Sequence, residues 1–172
     1  MLTVAFANPL SVLSHGAGTL KNADSGLQPP ALPKLFLSDL SGTPVMISQL
    51  EGHPLLVINV LATWCAPCMD EIPSLLQLVR ISRGHVRVTG ILEGGSESGK
   101  IISLLKKYHG EFQLLKDPDM KLSSALHVVA LPTSFIVDSR GRIVSKVSGA
   151  VRWTDPKVID YLKSFIPSKA GF

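Results

Sequence analysis

The sequence has few of the features that mark a membrane span, a disordered chain or a nucleic-acid binder. No apolar run approaches the length of about eighteen residues that a bilayer-spanning helix needs, so no span is predicted in this chain. Charged residues make up only 17% of the chain and hydrophobic residues 45%, which excludes a disordered polymer. The net charge is +4, yet Lys106 and Lys107 are the only adjacent basic residues. Because a nucleic-acid surface needs clustered basic residues, we expect no nucleic-acid partner.

Cysteine is also scarce. The chain has two cysteines, Cys65 and Cys68, and no third that could pair with either. A structural disulfide closing so short a loop constrains the unfolded chain by only about 2 kcal/mol, against about 5 kcal/mol for a hundred-residue loop. A zinc site needs four ligands at characteristic spacings, and the five histidines form no such motif. We therefore expect no metal and no other cofactor, and the pair indicates dithiol redox chemistry.

The spacing of the two thiols suits that chemistry. Apolar residues recur at helical spacing after the pair and predict a helix over 66–80, with Pro73 inside it. Thiols at i and i+3 lie on one side of a helix, where a disulfide can form and break without unfolding. The helix N-terminus favours an anion, so it stabilises the thiolate of Cys65. We expect Cys65 to attack a substrate disulfide and Cys68 to resolve the mixed disulfide.

Two regions are distinguished along the chain. Residues 1–33 carry scattered Gly, Ser, Asn and Pro without an apolar period, and this composition predicts a flexible lead. Within it Ala5-Phe6-Ala7 has the small-x-small pattern of a signal-peptidase site, but a basic start and a full apolar stretch are missing. The lead is either the remnant of a signal peptide or an accidental match to one. Residues 34–168 are expected to form one domain.

The pattern of elements in that domain predicts an α/β fold. Apolar runs at 54–61 and 86–92 are typical of buried strands, and hairpins are expected on either side of them. Asp138–Gly141 marks the turn of the second hairpin. Pro156 indicates the start of the last helix, with Thr154 or Asp155 as its cap. The full predicted order is a hairpin at 35–47, a strand at 54–61, a helix at 66–80, a strand at 86–92, a helix at 98–108, an extended piece at 112–115, a short helix at 117–126, a hairpin at 134–147 and a final helix.

The segment around the cysteines carries a family resemblance. Residues 59–68 (NVLATWCAPC) resemble the active-site segment of thioredoxins, and most closely that of the exported TlpA/ResA-type branch. Glu71-Ile72-Pro73 continues the match, and residues 128–138 (VVALPTSFIVD) are similar to the second signature of that branch, with Ala130 where the family often has glycine. The resemblance spans about 35–166. It implies a thioredoxin fold, with a central mixed sheet flanked by helices and an N-terminal β-hairpin extension.

The resemblance also implies a substrate-binding surface. It predicts a cis peptide bond between Leu131 and Pro132 that faces the cysteines, and backbone groups of Leu131 that pair with the substrate like an added strand. Trp64 is expected to shape the surface of the site rather than to fill the core. Pro67 fixes its own φ at the start of the helix and removes an N–H group that would otherwise face the site.

Four further residues carry less specific signals in the sequence, and Glu71 has two interpretations. The resemblance gives Glu71 an active-site role, the movement of the proton of Cys68, whereas a carboxylate in the first turns of a helix needs no function at all. Asn59 stands where thioredoxin has a buried acid, and it cannot titrate. Trp153 is expected to pack on the edge of the sheet. The basic group of the second hairpin, which includes Lys146, is expected to be solvated.

The resemblance therefore implies an enzyme, a protein disulfide reductase outside the cytoplasm of a bacterium, in the periplasm or an equivalent compartment. It would be monomeric, and either free or tethered through a leader missing here. Its partners would be protein disulfides, among them apocytochrome c or copper-site proteins of oxidase assembly, and an upstream thiol donor such as a membrane reductase. One alternative is a disulfide oxidant or isomerase, but such enzymes carry a helical insertion, for which little room remains between 86 and 132. A second is a peroxidase, whose thiol motif differs from this close pair. A third is a non-catalytic copper-binding or scaffold module, which the absence of a histidine near the cysteines disfavours.

Overall fold

The computed structural model describes residues 19–22, 30–50, 52–94, 98–105 and 112–166. In that part of the chain eight strands form one sheet, flanked by four α-helices. The strands are β1 (Thr19–Asn22), β2 (Phe36–Asp39), β3 (Pro44–Met46), β4 (Leu55–Leu61), β5 (Val86–Glu93), β6 (Phe112–Asp117), β7 (Thr133–Asp138) and β8 (Ile143–Ser148). The helices are α1 (Ala66–Ile81), α2 (Ser98–Leu105), α3 (Lys121–Ala125) and α4 (Pro156–Lys163), and Ile47–Leu50 forms a 3-10 turn.

The sheet is central and mixed, as the sequence predicts. Its order is β1-β8-β7-β4-β5-β6-β2-β3, with β4, β5 and β6 parallel and the remaining pairs antiparallel. Strand β4 lies between β5 and β7, and all seven of its residues are buried. Alternate residues of β4 enter separate apolar clusters, with Leu55, Val57 and Leu61 on the face that α1 and α4 cover. This double coverage explains the nearly continuous apolar run of the strand.

The predicted N-terminal hairpin is confirmed. Strands β2 and β3 pair antiparallel, and the turn between them uses Gly42 at a φ of 93°, a conformation that favours glycine. The side chain of Asp39 stabilises the turn, because its Oδ1 accepts hydrogen bonds from the backbone N–H groups of Ser41 and Thr43 at 2.8 and 2.9 Å. Strand β2 also pairs with β6, and the hairpin thereby extends the sheet on that side.

The lead predicted as flexible over 1–33 is corrected at two places. Strand β1 pairs with β8, and Pro30 accepts a backbone hydrogen bond from Ile143 at 2.8 Å. Leu32 donates to Gly141 at 2.9 Å and is only 4% exposed. These contacts rest on backbone hydrogen bonds to an otherwise open strand, which the composition of a short segment does not reveal. Residues 1–18 and 23–29, including Ala5-Phe6-Ala7, lie outside the described residues.

Helices α1, α2 and α4 start where the sequence indicates, whereas α3, predicted from 117, starts at Lys121 because Asp117 caps it from outside through hydrogen bonds from the N–H groups of Lys121 and Leu122. Helix α1 has proline in its first turn and continues through Pro73 to Ile81. Helix α4 is capped by Asp155, whose Oδ1 accepts a hydrogen bond from the N–H of Lys157 at 2.9 Å, so Asp155 rather than Thr154 is the cap. Helix α2 is described to Leu105, and the rest of its predicted length lies outside the described residues. No helix in the described part of the chain is both long and apolar enough to span a membrane.

Candidate active site

The two cysteines lie at the junction of β4 and α1. After β4 ends at Leu61, the N–H of Cys65 donates to the carbonyl of Ala62 at 3.2 Å and closes a turn. Cys65 is the N-cap of α1, with φ −87° and ψ 101°, and its carbonyl accepts from the N–H of Cys68 at 3.1 Å. The helix therefore starts directly at the first sulfur, where its N-terminal N–H groups and dipole favour a negative charge.

Cys65 and Cys68 form a disulfide, with their Cα atoms 5.3 Å apart. The two sulfur-bearing residues differ in access to solvent, because Cys65 is 7% exposed and Cys68 is fully buried. Trp64, the residue before the pair, is 75% exposed, and Pro67 between the cysteines is also exposed. An incoming disulfide can thus approach Cys65 but not Cys68. This asymmetry supports Cys65 as the attacking thiol and Cys68 as the resolving one.

The segment before β7 carries the proline that the resemblance points to. The peptide bond between Leu131 and Pro132 is cis, as expected. Pro132 is buried, and its carbonyl accepts a hydrogen bond from the N–H of Gly149 at 2.8 Å. Leu131 is half-buried and packs against the apolar cluster that includes both cysteines. The structure therefore brings Leu131 to the same cluster as the disulfide.

Glu71 is buried, so its interpretation as a solvated carboxylate is wrong. It lies three residues after Cys68 in α1 and is 3% exposed. Its Oε1 accepts hydrogen bonds from the indole N–H of Trp153 at 2.5 Å and the backbone N–H of Val151 at 3.1 Å. Its Oε2 accepts from Nδ2 of Asn59 at 3.2 Å. The described hydrogen bonds of the carboxyl group thus run to β4 and to the segment before α4, not to Cys68.

The surroundings of Glu71 bring the pKa of its carboxyl group close to neutral pH. Burial, which penalises the charged form, raises the pKa of Glu71 to about 7. The hydrogen bonds from Trp153, Val151 and Asn59 oppose that shift, because each stabilises the carboxylate. A carboxyl group with a pKa close to the ambient pH can take up or release a proton. Glu71 is therefore chemically suited to proton transfer in the helix that carries the disulfide.

Asn59 and Ser134 hold the carboxyl group from the side of the sheet. Nδ2 of Asn59 donates both to Glu71 and to Oγ of Ser134, the latter at 2.8 Å. Both residues are buried, and they are paired in the register of β4 and β7. Oδ1 of Asn59 has no hydrogen-bond partner among the described residues. Since neither side chain titrates, the pair positions the carboxyl group without competing for its proton.

Trp153 is the residue of the site that the sequence did not reveal. The expectation that it packs on the edge of the sheet is wrong, because Trp153 is fully buried in the cluster that also contains the cysteines. Its backbone N–H donates to Oγ of Ser74 at 3.3 Å, and its indole N–H donates to Glu71. A buried indole needs an acceptor and a buried carboxyl needs donors. That complementarity is the one signal by which the sequence could have paired Trp153 with Glu71, and it is weak because 82 residues separate the two partners.

Replacing Trp153 with phenylalanine is expected to raise the pKa of Glu71 above its value of about 7. The variant keeps most of the buried ring but removes the indole donor, which stabilises the carboxylate. The measurement is a pH titration of the carboxyl carbon of Glu71 by nuclear magnetic resonance. The control is Trp64→Phe, which changes an exposed tryptophan and should leave the titration as in the wild type. An unchanged midpoint in Trp153→Phe would contradict the role of this hydrogen bond.

No group of three or more His, Cys, Asp or Glu side chains that could hold a metal ion is found among the described residues. The side chain of His53 interacts through its Nε2 with Nη1 of Arg87 at 2.7 Å. Arg87 also donates to Gln113 at 3.0 Å. His53 and Arg87 therefore form a polar contact at the beginning of β5, whereas the cysteines follow the end of β4.

Comparisons with known proteins agree with this geometry. A sequence model of the AhpC/TSA family matches residues 30–146. The thiol-disulfide oxidoreductase ResA of Bacillus subtilis is 28% identical over 140 residues, which cover 81% of this chain and 76% of ResA. The thiol:disulfide interchange protein DsbE of Haemophilus influenzae is 32% identical over 159 residues, which cover 89% of this chain and 84% of DsbE. The crystal structure of a Chlorobium tepidum protein assigned as DsbE superposes with a TM-score of 0.69 at 20% identity, covering 83% of this chain and all of that one.

Proposed function

Since this chain belongs to the AhpC/TSA family and is a thiol-disulfide oxidoreductase, we propose that it acts as a reductant of protein disulfides outside the cytoplasm. The observation that carries the proposal is the Cys65–Cys68 disulfide at the N-cap of α1, with the first cysteine the more exposed. A helix start stabilises a thiolate, and a thiolate is the form that attacks a disulfide. The buried carboxyl of Glu71 adds a proton acceptor in the same helix.

The proposed reaction starts from the dithiol. The thiolate of Cys65 attacks one sulfur of the client disulfide, the client S–S bond breaks, and the leaving client thiolate takes a proton from solvent. Cys68 then loses its proton to the carboxylate of Glu71 and attacks Cys65. The mixed disulfide breaks, the second client sulfur leaves as a thiolate that takes a proton from solvent, Glu71 returns its proton to solvent, and the enzyme is left with the Cys65–Cys68 disulfide that the structure shows. Two electrons have passed to the client, so an upstream thiol donor must reduce the enzyme again.

The neighbours of the disulfide have supporting roles in this proposal. The exposed ring of Trp64 forms part of the surface that a client polypeptide meets. Pro67 lacks an N–H group and leaves the first turn of α1 with one donor fewer beside the sulfurs. Leu131, joined by a cis bond to Pro132 and packed on the cluster with the cysteines, binds the client backbone as an added strand would.

The resemblance to the exported TlpA/ResA-type branch supports the location and the kind of client. The sequence relatives ResA and DsbE are thiol-disulfide proteins by name, and the chain covers most of their length. We propose an extracytoplasmic protein that receives electrons from a membrane reductase. Its proposed clients are the haem-site cysteines of apocytochrome c or copper-site proteins of oxidase assembly. Each of these clients must have its cysteines reduced before it can receive its haem or metal.

A trapping experiment tests both the direction of the reaction and the client. In Cys68→Ala the mixed disulfide cannot be resolved, so the variant should retain a covalently bound client that a reductant releases. The wild-type protein, alkylated rapidly in growing cells, should be found mostly as the dithiol. A double variant with Cys65→Ala and Cys68→Ala is the control and should trap nothing. Wild-type protein found fully as the disulfide would contradict a reductant and indicate an oxidant.

A further inference from the structure

Lys146 is not a solvated residue of the second hairpin. It lies in β8 directly across from Phe135 of β7, on the face of the sheet that α3 covers. Its Nζ lies 5.4 Å from the centre of the Phe135 ring. From there it donates hydrogen bonds to the carbonyl of Leu126 at 3.0 Å and to the carbonyl of His127 at 2.7 Å. The charged side chain of Lys146 thus connects strand β8 to the C-terminal end of α3.

The two carbonyls that Lys146 binds belong to the turn that ends α3. Leu126 is the C-cap of this five-residue helix, and His127 follows with a φ of 50°, a left-handed conformation that costs free energy for a residue with a side chain. Carbonyls at a helix C-terminus lack partners within the helix, and a lysine ammonium offers three donors. Lys146 is half-buried, and this burial lowers the pKa of its amine. Its hydrogen bonds therefore stabilise a turn that is otherwise unfavourable.

This turn is the start of the segment that carries Leu131 and Pro132. Val128 donates its backbone N–H to the carbonyl of Ser123 at 2.8 Å, and the hydroxyl of Thr133 donates to the carbonyl of Ala130 at 2.7 Å. Between these contacts the chain projects outward, since Val129 is 87% exposed. Lys146 fixes one end of the projection and Thr133 the other. A side chain in β8 thus binds the turn from which the segment 128–131 leaves the body of the protein.

We propose that Lys146 is a positioning residue for client binding, which holds the segment 128–131 in place for an incoming polypeptide. This inference rests on the proposed function, because it assumes that Leu131 binds the client backbone. Lys146 lies beside Phe135 on the face of the sheet that α3 covers, whereas both cysteines belong to the cluster on the opposite face, so its effect passes through the backbone of residues 126–131. Its loss should therefore weaken the binding of an extended protein substrate but spare the chemistry of the two sulfurs. A small disulfide that needs no contact with the segment should not respond to it.

The test compares Lys146→Met with the wild type on two substrates, the protein insulin and the small aromatic disulfide of 5,5′-dithiobis(2-nitrobenzoate). Methionine keeps much of the apolar stem but removes the donors. We expect the KM for insulin to rise about tenfold, with kcat and the rate on the small disulfide changed less than about twofold. Lys146→Arg should recover most of the insulin affinity, because a guanidinium also offers several donors to two carbonyls.

A control variant and a hydrogen-exchange measurement distinguish a positioning role of Lys146 from a general loss of stability. Lys157→Met removes an exposed lysine of α4 and is the matched control, which should leave both substrates unaffected. Hydrogen exchange should become faster at the amides of residues 128–131 in Lys146→Met and stay unchanged in β4. An unchanged KM for insulin, or an equal loss on both substrates, would overturn the positioning role. A wild-type protein that reduced neither substrate would instead overturn the proposed function itself.

Discussion

A Cys65→Ser variant is expected to reduce insulin no faster than the uncatalysed reaction, a loss of about a thousandfold or more. Serine fits the space of cysteine, but its hydroxyl does not ionise near neutral pH and cannot attack a disulfide. Cys68 cannot replace the lost thiol, because it is fully buried in the first turn of α1. The measurement is the rate of insulin reduction with a dithiol supplying the electrons. Melting of the variant against the reduced wild type checks that the fold is retained.

Cys68→Ser provides the matched comparison. It keeps Cys65, the more accessible of the two cysteines, so the first attack should still occur, and the reaction should stop at the mixed disulfide. The two variants should thus differ in kind, one without covalent adduct and the other with one equivalent of it by mass spectrometry. Full activity of Cys65→Ser, or a covalent adduct formed by that variant, would show that the nucleophile is a group other than Cys65.

Glu71→Gln is expected to flatten the dependence of stability on pH. The pKa of Glu71 is about 7 in the folded protein against an ordinary value of 4.5, so the raised pKa makes ionisation oppose folding. The contribution of the neutral carboxyl is fully present below pH 4.5 and is lost as the pH rises through 7. The shift corresponds to a loss of about 3 kcal/mol in the free energy of unfolding across that window. Glutamine stays neutral throughout, so this part of the loss should disappear.

The measurement is urea unfolding of the oxidised proteins at pH 4, 6 and 8, where the Cys65–Cys68 disulfide is intact. At pH 8 we expect Glu71→Gln to be the more stable protein, by up to about 3 kcal/mol, because its amide oxygen can still accept from Trp153 and Val151. At pH 4 the advantage should vanish. Asp70→Asn, which changes an exposed carboxylate of the same helix, should follow the wild-type profile. A wild-type slope retained in Glu71→Gln would show that burial does not raise the pKa of this group.

The parts of the fold with local signals could be predicted from the sequence. The apolar run of β4, the helical period of α1 and the turn of the second hairpin each report their own structure within a few residues. The redox pair is equally local, because its meaning lies in a spacing of three residues before a helix. The cis bond before Pro132 was predicted only through the family resemblance, since composition and spacing favour the trans form.

The partners of the buried polar groups could not be predicted, because they are joined by the topology and not by the chain. Glu71 receives donors from β4 and from a segment about eighty residues further on, and nothing near Trp153 in the sequence indicates an acid. Lys146 is similar, since its acceptors lie nineteen and twenty residues away on another layer. Strand β1 is a third case, because an edge strand pairs through its backbone and needs no particular side chains.

The amide of Asn59 is able to serve both protonation states of Glu71. With the carboxylate, Nδ2 donates to Oε2 at 3.2 Å, and Oδ1 has no partner in the described part of the chain. A half-turn of the amide exchanges the two atoms and offers Oδ1 as an acceptor for the proton of the carboxylic acid, while the hydroxyl of Ser134 reverses from acceptor to donor. Either orientation of the amide leaves one of its two polar atoms without a hydrogen-bond partner, so the rotation does not change the number of unpaired groups. A proton can therefore come and go at Glu71 while the backbone beside the disulfide stays where it is.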